Sequence, residues 1–570
     1  MAIPTVYKDM RLLPLVIGFG LLLTPGVTAQ APMTALDSAR HVLNRLAYGA
    51  LPGQAEAVAR EGVLKWVDRQ LGFTDIRDPA LKELESAFDI LHTSPVELQA
   101  MQQRQQAQVQ RAQAIGDSAA RMQALDMLRQ NQQDGRKDLR ALLGELASVT
   151  VVRAVQSDRQ LPEILADFWS NHFNVFIGKN QDRPYFPAYL ELTIRTHALG
   201  RFEDLLIATA KSPAMLLYLD NAQSVAANTD PRLLAMEQMQ AARNRPGARP
   251  NPRSRRPPFT IPQRQMLDSA QLARLKQAAP RGLNENYARE LMELHTLGVD
   301  GGYTQQDVIN VARILTGWGV DRRDGNFTFR EAAHDRGAKV VLGQKFSANH
   351  GEDEGMRLLK LLASSPATMH HVSAQLCARF VADAPPDGCI DDAVRAWKKS
   401  KGDIREVVRA IVLSPDFWAA SNVQSKVKTP FEFVVSAVRA LGGTPDTTPR
   451  TAQRVGQLGE PLFQKQTPNG YGESEEDWVN SGALLARMNF AVQLASGRLP
   501  GVVIDLDGVV PLTTDLGALV DRINQSVVCG MMSSHTREVI LKQLTGVADP
   551  RAARALAIGL AIGGPEFQRQ

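Results

Sequence analysis

Two carboxylates and an imidazole lie close together near the middle of the chain, at Glu290, Glu293 and His295. Carboxyl groups and imidazoles are the usual proton donors and acceptors of general acid–base catalysis. Asp307 and Arg313 follow shortly afterwards, so the same groups can also neutralise one another as ion pairs. These residue types therefore predict either a catalytic site or a buried salt-bridge network.

Helical spacing gives part of this cluster a structural role. Glu285, Arg289 and Glu293 recur four apart, which places them on one helical face as a ladder of ion pairs. Glu290 lies about 100° round the helix from Arg289. It is therefore the carboxylate left free for chemistry, or for pairing with Arg313 on the next helix.

Candidate residues outside this cluster depend on the fold to bring them together. Those suited to acid–base chemistry are His172, His334 and Asp335. Those suited to substrate binding are Arg313, Trp318, Tyr471 and Trp478. The two tryptophans can stack on sugar rings. A metal site, the weaker hypothesis, would need His172, His334 and the two glutamates to meet. The sequence contains no Gly-x-Ser-x-Gly, phosphate-loop or His-Glu-x-x-His motif, and it identifies no cofactor.

Start and stop signals predict a packed pair of helices around the first cluster. Thr304, with Asp307 three residues later, has the pattern of a capping box. Gly298 stands where a left-handed residue ends a helix, and the turn follows at Gly301–Gly302. Apolar side chains recur every three or four residues in both helices, which indicates that one face of each packs on the core.

The order of elements predicts a mainly α protein: a multi-helix globular body with a small β-hairpin insert near 326–346. The alternation of strands and helices that a parallel sheet requires is absent. The predicted regions are a signal peptide at 1–29, an N-terminal helical region at 30–221 with a long polar helical arm at about 96–143, a disordered Arg/Pro-rich linker at 222–279, a core helical region at 280–500 and a C-terminal helical region at 501–570.

The first residues have the features of an export signal. Lys8 and Arg11 precede an apolar run over 12–23, and small residues before Gln30 predict cleavage after Ala29. No later stretch is long and apolar enough to span a bilayer. We therefore expect a periplasmic or secreted protein without a transmembrane segment after cleavage.

Charge and cysteine content bear on partners and on the redox compartment. The net charge is +5, yet Arg243–Arg256 carries six arginines and no acid. An exported protein rarely meets nucleic acid, so this segment is either a solvated linker or a contact for an anionic envelope polymer. Cys377 and Cys389 flank a turn and can form a disulfide in an exported protein, or stay reduced. Cys529 is left as a buried thiol.

Short motifs spread through the chain lie at Phe168–Phe173, Tyr287–Leu291, Leu297–Gly298, Tyr303–Thr304, Leu315–Trp318, His334–Asp335, Leu342–Gly343, Lys428–Pro430, Leu458–Phe463 and Trp478–Ser481. Together they resemble a bacterial family, the domain of unknown function 1800, from about Ala39 to the C-terminus. The chain departs from that family at Asn469–Gly472, where the family usually carries Gly-Trp-Pro. The resemblance implies an exported, mainly helical protein and supplies no reaction. It also implies a partner, because genes of the family often accompany a second exported family with an alkaline phosphatase/sulfatase-like fold.

These observations lead to two functional hypotheses. The first is an exported hydrolase acting on an extracellular or envelope polymer such as a polysaccharide. The second is a non-catalytic accessory protein that docks the phosphatase/sulfatase-like partner through its polar helical arm. Carboxylates facing an open cleft would favour the enzyme, whereas carboxylates sealed against arginines would favour the scaffold.

Overall fold

The structure covers both sides of the predicted linker. The computed structural model describes residues 33–131, 139–179, 181–227, 229, 282–321 and 323–570. The predicted signal peptide, the arginine-rich segment Arg243–Arg256 and nearly all of the predicted linker at 222–279 lie outside these residues.

Helices form the part of the chain before the linker. Thr34 and Ser94 accept backbone hydrogen bonds at the starts of the first and fifth helices, and Pro95 takes the first position of the fifth. The helices are α1 Ala35–Leu46, α2 Gln54–Glu61, α3 Val63–Leu71, α4 Pro79–Glu85, α5 Pro95–Gln113, α6 Ser118–Asn131, α7 Leu139–Gln156, α8 Gln160–His172, α9 Phe186–Ala188, α10 Phe202–Ala210 and α11 Pro213–Tyr218. A π-helical turn over Tyr189–Arg195 follows α9.

Helices also dominate after the linker, which confirms the predicted mainly α fold. They are α12 Asn286–Glu293, α13 Gln305–Ile314, α14 Glu352–Ala363, α15 Pro366–Phe380, α16 Asp387–Ser400, α17 Ile404–Leu413, α18 Pro430–Ala440, α19 Arg450–Gln457, α20 Glu475–Trp478, α21 Ser481–Ala495, α22 Leu506–Val509, α23 Leu516–Ser526, α24 Ser534–Leu544, α25 Pro550–Gly563 and α26 Pro565–Gln568. Among the described helices, none combines the length and the apolar character needed to cross a membrane.

Two helices, α5 and α6, lie within the range 96–143 predicted for a polar arm, apart from the first residue of α5. In α5, most side chains are exposed or half-buried, while Leu98 and Ala112 are buried. The next helix, α7, buries Leu139 and Leu142 in the core. α7 therefore packs on the core from Leu139 onward, although its first residues lie in the range predicted for the arm.

The strands of the described residues form three small antiparallel sheets. β1 Trp318–Val320 pairs with β2 Phe327–Phe329, β3 Lys339–Val341 with β4 Gln344–Phe346, and β5 Thr444–Pro445 with β6 Val502–Val503. A small β-hairpin does lie within the predicted range 326–346, formed by β3 and β4, whereas β2 pairs with β1. Leu342 and Gly343 have φ values of 49° and 75°, the geometry of a two-residue hairpin turn. Residues 339–346 consequently fold back on themselves instead of reaching β2.

One helix lies at the centre of the core. Every residue of α18 is buried, and the helix packs against α7 and α19. The surrounding core is continuous from Ala39 to Phe567 and includes side chains from all the predicted helical regions. Because α18 has no exposed face, the polar groups at its start must find partners within the protein.

A disulfide joins Cys377 on α15 to Cys389 on α16. The two residues are 12 apart in sequence, and both are fully buried. Cys529 is a free, half-buried thiol, and burial raises its pKa. The disulfide pins the C-terminal end of α15 to the neighbouring helix.

Removing this disulfide should destabilise the protein. Replacing Cys377 and Cys389 by serine frees a short loop in the unfolded chain, and the chain-entropy model assigns such a loop roughly 3 kcal/mol. Urea unfolding without reductant measures the loss. Cys529→Ser is the matched control and should keep the wild-type midpoint. A double variant that also keeps that midpoint would show that the disulfide does not stabilise the fold.

Candidate functional site

The predicted helical hairpin forms, and its capping residue has a structural role. Thr304 starts α13, and its backbone N–H donates to Asp307 Oδ2 at 2.8 Å. The other carboxylate oxygen of Asp307 accepts from the backbone N–H of Leu342 at 2.8 Å. Asp307 therefore ties the helical hairpin to the turn between β3 and β4, and both of its carboxylate oxygens accept hydrogen bonds.

The glutamates of α12 form only part of the predicted ladder. Arg289 lies 3.7 Å from Glu285, but Glu293 accepts a hydrogen bond from Tyr303 at 3.3 Å instead of pairing with Arg289. Burial raises the pKa of Glu290, and the charge of Glu293 raises it further. Within the described residues Glu290 has no ion pair. The predicted pair between Glu290 and Arg313 does not form.

Arg313 instead belongs to a buried network with two other predicted residues. Its Nε and Nη2 donate to both oxygens of Asp335 at 3.0 Å. Burial alone would raise the pKa of Asp335, but these hydrogen bonds hold it below its usual value. Lys339 Nζ donates to Glu354 at 2.6 Å, and His334 Nε2 lies 3.3 Å from the same carboxylate. Asp335 is thus paired with the Arg313 guanidinium group, and His334 lies against a carboxylate that is itself paired with Lys339.

The two predicted histidines of the helical body meet. The rings of His172 and His295 lie 6.2 Å apart. His172 contacts the Gln375 side chain at 2.7 Å and the His295 carbonyl at 3.2 Å. Burial lowers the pKa of His172 to about 4 and that of His295 well below its usual value. Both imidazoles are neutral in the fold. Nowhere in the described residues do three His, Cys, Asp or Glu side chains stand close enough to hold a metal ion.

A different set of carboxyl groups lines an open cleft, which we call the Asp167 cleft. Its cavity volume is small, about 30 Å³. Its lining residues are Asp167, Ser170, Asn171, Asn174, Arg379, Thr429, Glu432, Glu460, Leu462, Phe463, Tyr471, Gly472 and Glu473. Four carboxyl groups thus face one guanidinium group.

Four separate elements position these side chains. Asp167 lies on the polar side of α8, and Arg379 lies near the end of α15. Glu432 belongs to the first turn of the buried helix α18. The loop between α19 and α20 supplies Glu460 and Glu473. The cleft is therefore assembled from residues far apart in sequence.

Arg379 and Glu432 form the buried ion pair at the floor of the cleft. Arg379 Nη2 lies 2.5 Å from Glu432 Oε1, and both side chains are almost fully buried. Glu432 Oε2 accepts from the backbone N–H of Thr429 at 2.9 Å and from Gln570 at 3.0 Å. Burial alone would raise the pKa of Glu432, but Arg379 and these donors hold it low. Glu432 is therefore ionised and fully engaged.

Among the described residues, the other carboxyl groups of the cleft have no ion pair and too few hydrogen bonds to offset the effect of burial on their pKa values. Burial raises the pKa of Asp167 to about 7, with Arg379 opposing and Glu473 adding to the shift. Burial and then the charge of Asp167 raise the pKa of Glu460 well above its usual value. Glu460 accepts a hydrogen bond from the Phe431 N–H at 2.8 Å. In the described residues, no donor contacts the Asp167 carboxyl group, which is half-buried and faces the cleft.

The loop that closes the cleft is tied to α8. Asn171 donates to the Tyr471 carbonyl at 2.9 Å and accepts from the Tyr471 N–H at 2.7 Å. Gly470 has a φ of 71°, and a side chain there would collide with Asn171 at 2.5 Å. Phe463 also has a positive φ, 62°, which strains a non-glycine residue.

The aromatic residues predicted to bind a substrate differ in their access to the Asp167 cleft. Trp318 is completely buried, and its ring packs edge-on against Phe327 at 5.2 Å. It therefore cannot stack on a sugar. Trp478 is 8 % exposed and supports the Tyr471 ring at 5.9 Å, while Tyr471 itself lines the cleft. Of the predicted binding residues, Tyr471 is the one that reaches the Asp167 cleft.

The residues that the sequence reasoning missed are Asp167, Arg379, Glu432, Glu460 and Glu473. A signal for three of them was present. Asp167 directly precedes the motif Phe168–Phe173, Glu432 follows Lys428–Pro430 closely, and Glu460 lies within Leu458–Phe463. Each is a carboxylate in an apolar segment, and such a group needs a partner or a task.

Comparisons with known proteins identify a family and nothing more specific. A family profile described as "Protein of unknown function (DUF1800)" matches residues 41–569. The curated proteins and the solved structures contain no match to the chain.

Glu432→Gln should destabilise the protein strongly. The change leaves the buried Arg379 guanidinium without its counter-charge, and breaking a buried pair in this way costs roughly 3–5 kcal/mol. Urea unfolding at neutral pH measures the loss. Glu290→Gln is the matched control, because Glu290 has no ion pair within the described residues, and it should change stability by less than about 1 kcal/mol. Equal losses of unfolding free energy in the two variants would mean that the ion pair between Arg379 and Glu432 does not stabilise the fold.

Acid should destabilise the protein through His172. Its pKa is lowered to about 4 in the fold, so the unfolded chain takes up a proton that the folded protein does not. The resulting stability is present above about pH 6.5 and is lost as the pH falls towards 4, by up to roughly 3 kcal/mol. Melting temperatures of wild type and His172→Gln between about pH 7.5 and 4.5 test this. The variant should lose less stability on acidification, and parallel curves would refute the assignment.

Proposed function

The chain belongs to the DUF1800 family of proteins of unknown function, and we propose that it is a hydrolase that uses the Asp167 cleft for general acid–base catalysis. One observation carries the proposal. Asp167 is a carboxyl group that faces an open cleft, has a pKa of about 7 and receives no hydrogen bond from the described residues. A structural carboxylate would be paired, as Asp335 is with Arg313.

The carboxyl groups of the cleft divide into different roles. Asp167 changes its charge near neutral pH, so its ionised form accepts a proton from water. Burial raises the pKa of Glu460 well above its usual value, so Glu460 is the carboxyl group of the cleft that suits the role of proton donor. Glu432 remains ionised beside Arg379 and fixes the electrostatic environment of both.

The substrate class follows from the lining of the cleft and from the predicted export. Carboxyl, phenol and hydroxyl groups of the cleft suit a substrate rich in hydroxyl groups, such as an extracellular or envelope polysaccharide. The predicted signal peptide would bring the protein to such a polymer. The accessory role beside a phosphatase/sulfatase-like partner gives an unpaired Asp167 no task, so the enzyme is the favoured hypothesis.

Asp167→Asn should lower the hydrolytic rate roughly 10²–10⁴-fold, because it removes the group that accepts the proton. The protein should be at least as stable as wild type, since the amide relieves the burial of a charge. Wild-type kcat/KM should rise with pH around about 7 as Asp167 ionises. Release of products from a panel of acylated and unacylated polysaccharides gives the rates.

The matched control for this variant is Asp335→Asn. It removes an aspartate from the Arg313 network and should lower stability while leaving kcat/KM of the folded protein close to wild type. Full activity of Asp167→Asn on a polymer that the wild type cleaves would end the proposal.

A further inference from the structure

The loop between α19 and α20 covers much of the Asp167 cleft. Residues 459–473 are a run of turns and irregular backbone, and we call them the cleft loop. The rest of the lining comes from α8, α15 and α18 and from residues next to these helices. Six of the thirteen lining residues belong to the cleft loop: Glu460, Leu462, Phe463, Tyr471, Gly472 and Glu473.

The cleft in this arrangement is too small for the proposed substrate. Its cavity volume of about 30 Å³ has space for about two or three water molecules, since each needs roughly 10–15 Å³. A sugar ring is far larger than this. Because the proposed function requires a polysaccharide to reach Asp167, one side of the cleft has to move.

The cleft loop is the side that can move without disturbing the core. α18 is buried throughout, and α8 and α15 each bury several side chains in the same core. In the cleft loop, Glu460 and Gly470 are buried, and the other residues are half-buried or exposed. Segments with few buried apolar contacts open at a lower free energy than the core around them. Local opening of the cleft loop therefore requires less free energy than separation of the helices.

The first part of the cleft loop has the backbone of a hinge. Gly459 has a φ of 112°, and a side chain there would meet no described atom within 4 Å. Phe463 has a φ of 62°, a strained conformation for a residue with a side chain. The N–H of Ile177 donates to the Phe463 carbonyl at 3.1 Å, and the Phe463 ring lies 5.1 Å from that of Phe186. Movement of the loop away from Ile177 releases the strain that these contacts maintain.

The tip of the cleft loop is held by hydrogen bonds to its backbone. Asn174 Nδ2 donates to the carbonyls of Lys465 and Thr467 at 3.1 and 2.8 Å. The hydroxyl group of Tyr218 donates to the Gln466 carbonyl at 2.7 Å. Asn174 and Tyr218 are both buried, and they belong to the body of the protein. Each such bond contributes modestly to stability, so together they act as a latch that can break while the body stays folded.

We propose that the cleft loop is a lid, which covers Asp167 in the closed form described above and swings about Gly459 to admit a polysaccharide chain. The identity of the admitted molecule rests on the proposed hydrolase function, whereas the movement itself does not. The closed lid also keeps water away from Asp167, and burial is the main cause of the raised pKa of that carboxyl group. The lid thus controls both access to Asp167 and its ionisation.

Thiol labelling of the full chain measures lid opening without any substrate. Ser170→Cys places a thiol in the cleft, and Cys529→Ser removes the free cysteine from the same chain. The probe is fluorescein maleimide, which is much larger than the closed cleft. Omission of reductant keeps the disulfide between Cys377 and Cys389 intact. We expect slow labelling that is limited by opening of the lid.

Tyr218→Phe should speed this labelling roughly fivefold, because the closed lid loses the hydrogen bond to Gln466. The matched control is Tyr303→Phe, which removes a hydroxyl group bonded to Glu293 on the helical hairpin. It should stay within about twofold of the parent chain. Equal labelling rates in the two variants would overturn the lid. Labelling of Ser170→Cys as fast as that of Gln464→Cys, at an exposed position of the cleft loop, would overturn it as well.

Hydrogen exchange of the wild-type chain is a second measurement, which needs no variant. The backbone N–H groups of Ile177 and Tyr471 donate to Phe463 and Asn171, so both bonds join the cleft loop to the body. Both amides should exchange faster than those of α18, because they open with the lid and not with the core. Exchange of these two amides only through global unfolding would contradict the lid.

Activity assays keep this inference separate from the proposed function. Lid opening in a protein that hydrolyses no polysaccharide would remove the hydrolase and retain the lid. Hydrolysis that is lost in Asp167→Asn, together with labelling that Tyr218→Phe does not change, would retain the hydrolase and overturn the lid.

Discussion

The ion pair between Arg379 and Glu432 is the interaction on which the centre of this structure depends. Glu432 lies in the first turn of α18, a helix with no exposed residue. A charge at such a place is tolerated only with a counter-charge and hydrogen bonds, and Arg379, Thr429 and Gln570 supply them. The negative charge also lies at the N-terminal end of the helix, where the helix dipole favours it. The pair therefore fixes α15 against α18.

The same ion pair explains why the neighbouring carboxyl groups have raised pKa values while that of Glu432 is low. Arg379 provides one positive charge, and Glu432 lies closest to it. Asp167 and Glu460 are left in a poorly solvated cleft with insufficient counter-charge, so their pKa values rise. A paired carboxylate next to unpaired carboxyl groups is the arrangement by which one site holds a proton donor and a proton acceptor at the same pH. The proposed acid–base chemistry is thus a consequence of Arg379 neutralising Glu432 and leaving Asp167 and Glu460 without a counter-charge in the described part of the chain.

The cluster that looked most reactive in the sequence has other roles. Asp307 caps α13 and holds β4 through the turn at Leu342, and Asp335 neutralises Arg313. Burial lowers the pKa values of His172 and His295, so both imidazoles are uncharged at neutral pH. Ion-pair networks and catalytic sites use the same residue types, because both need charged groups in poorly solvated surroundings. An ion-pair network differs from a catalytic site in that each charged group has a bonded partner and is not accessible to a substrate. Most residues of this cluster have such partners.

The sequence by itself determined the elements: the mainly helical body, the capping box of Thr304 and Asp307, and the paired helices around the glycine turn. These depend on side chains within a few residues of one another, so local spacing is sufficient to predict them. The identity of the family was likewise readable from short motifs. The hairpin near 326–346 was also predicted, but its turn rests on positive φ angles at Leu342 and Gly343 that composition does not show. Only the tertiary structure decided which carboxylate faces a cleft. Asp167, Arg379 and Glu460 come from three distant segments, and burial, counter-charge and access at each of them are set by packing between those segments.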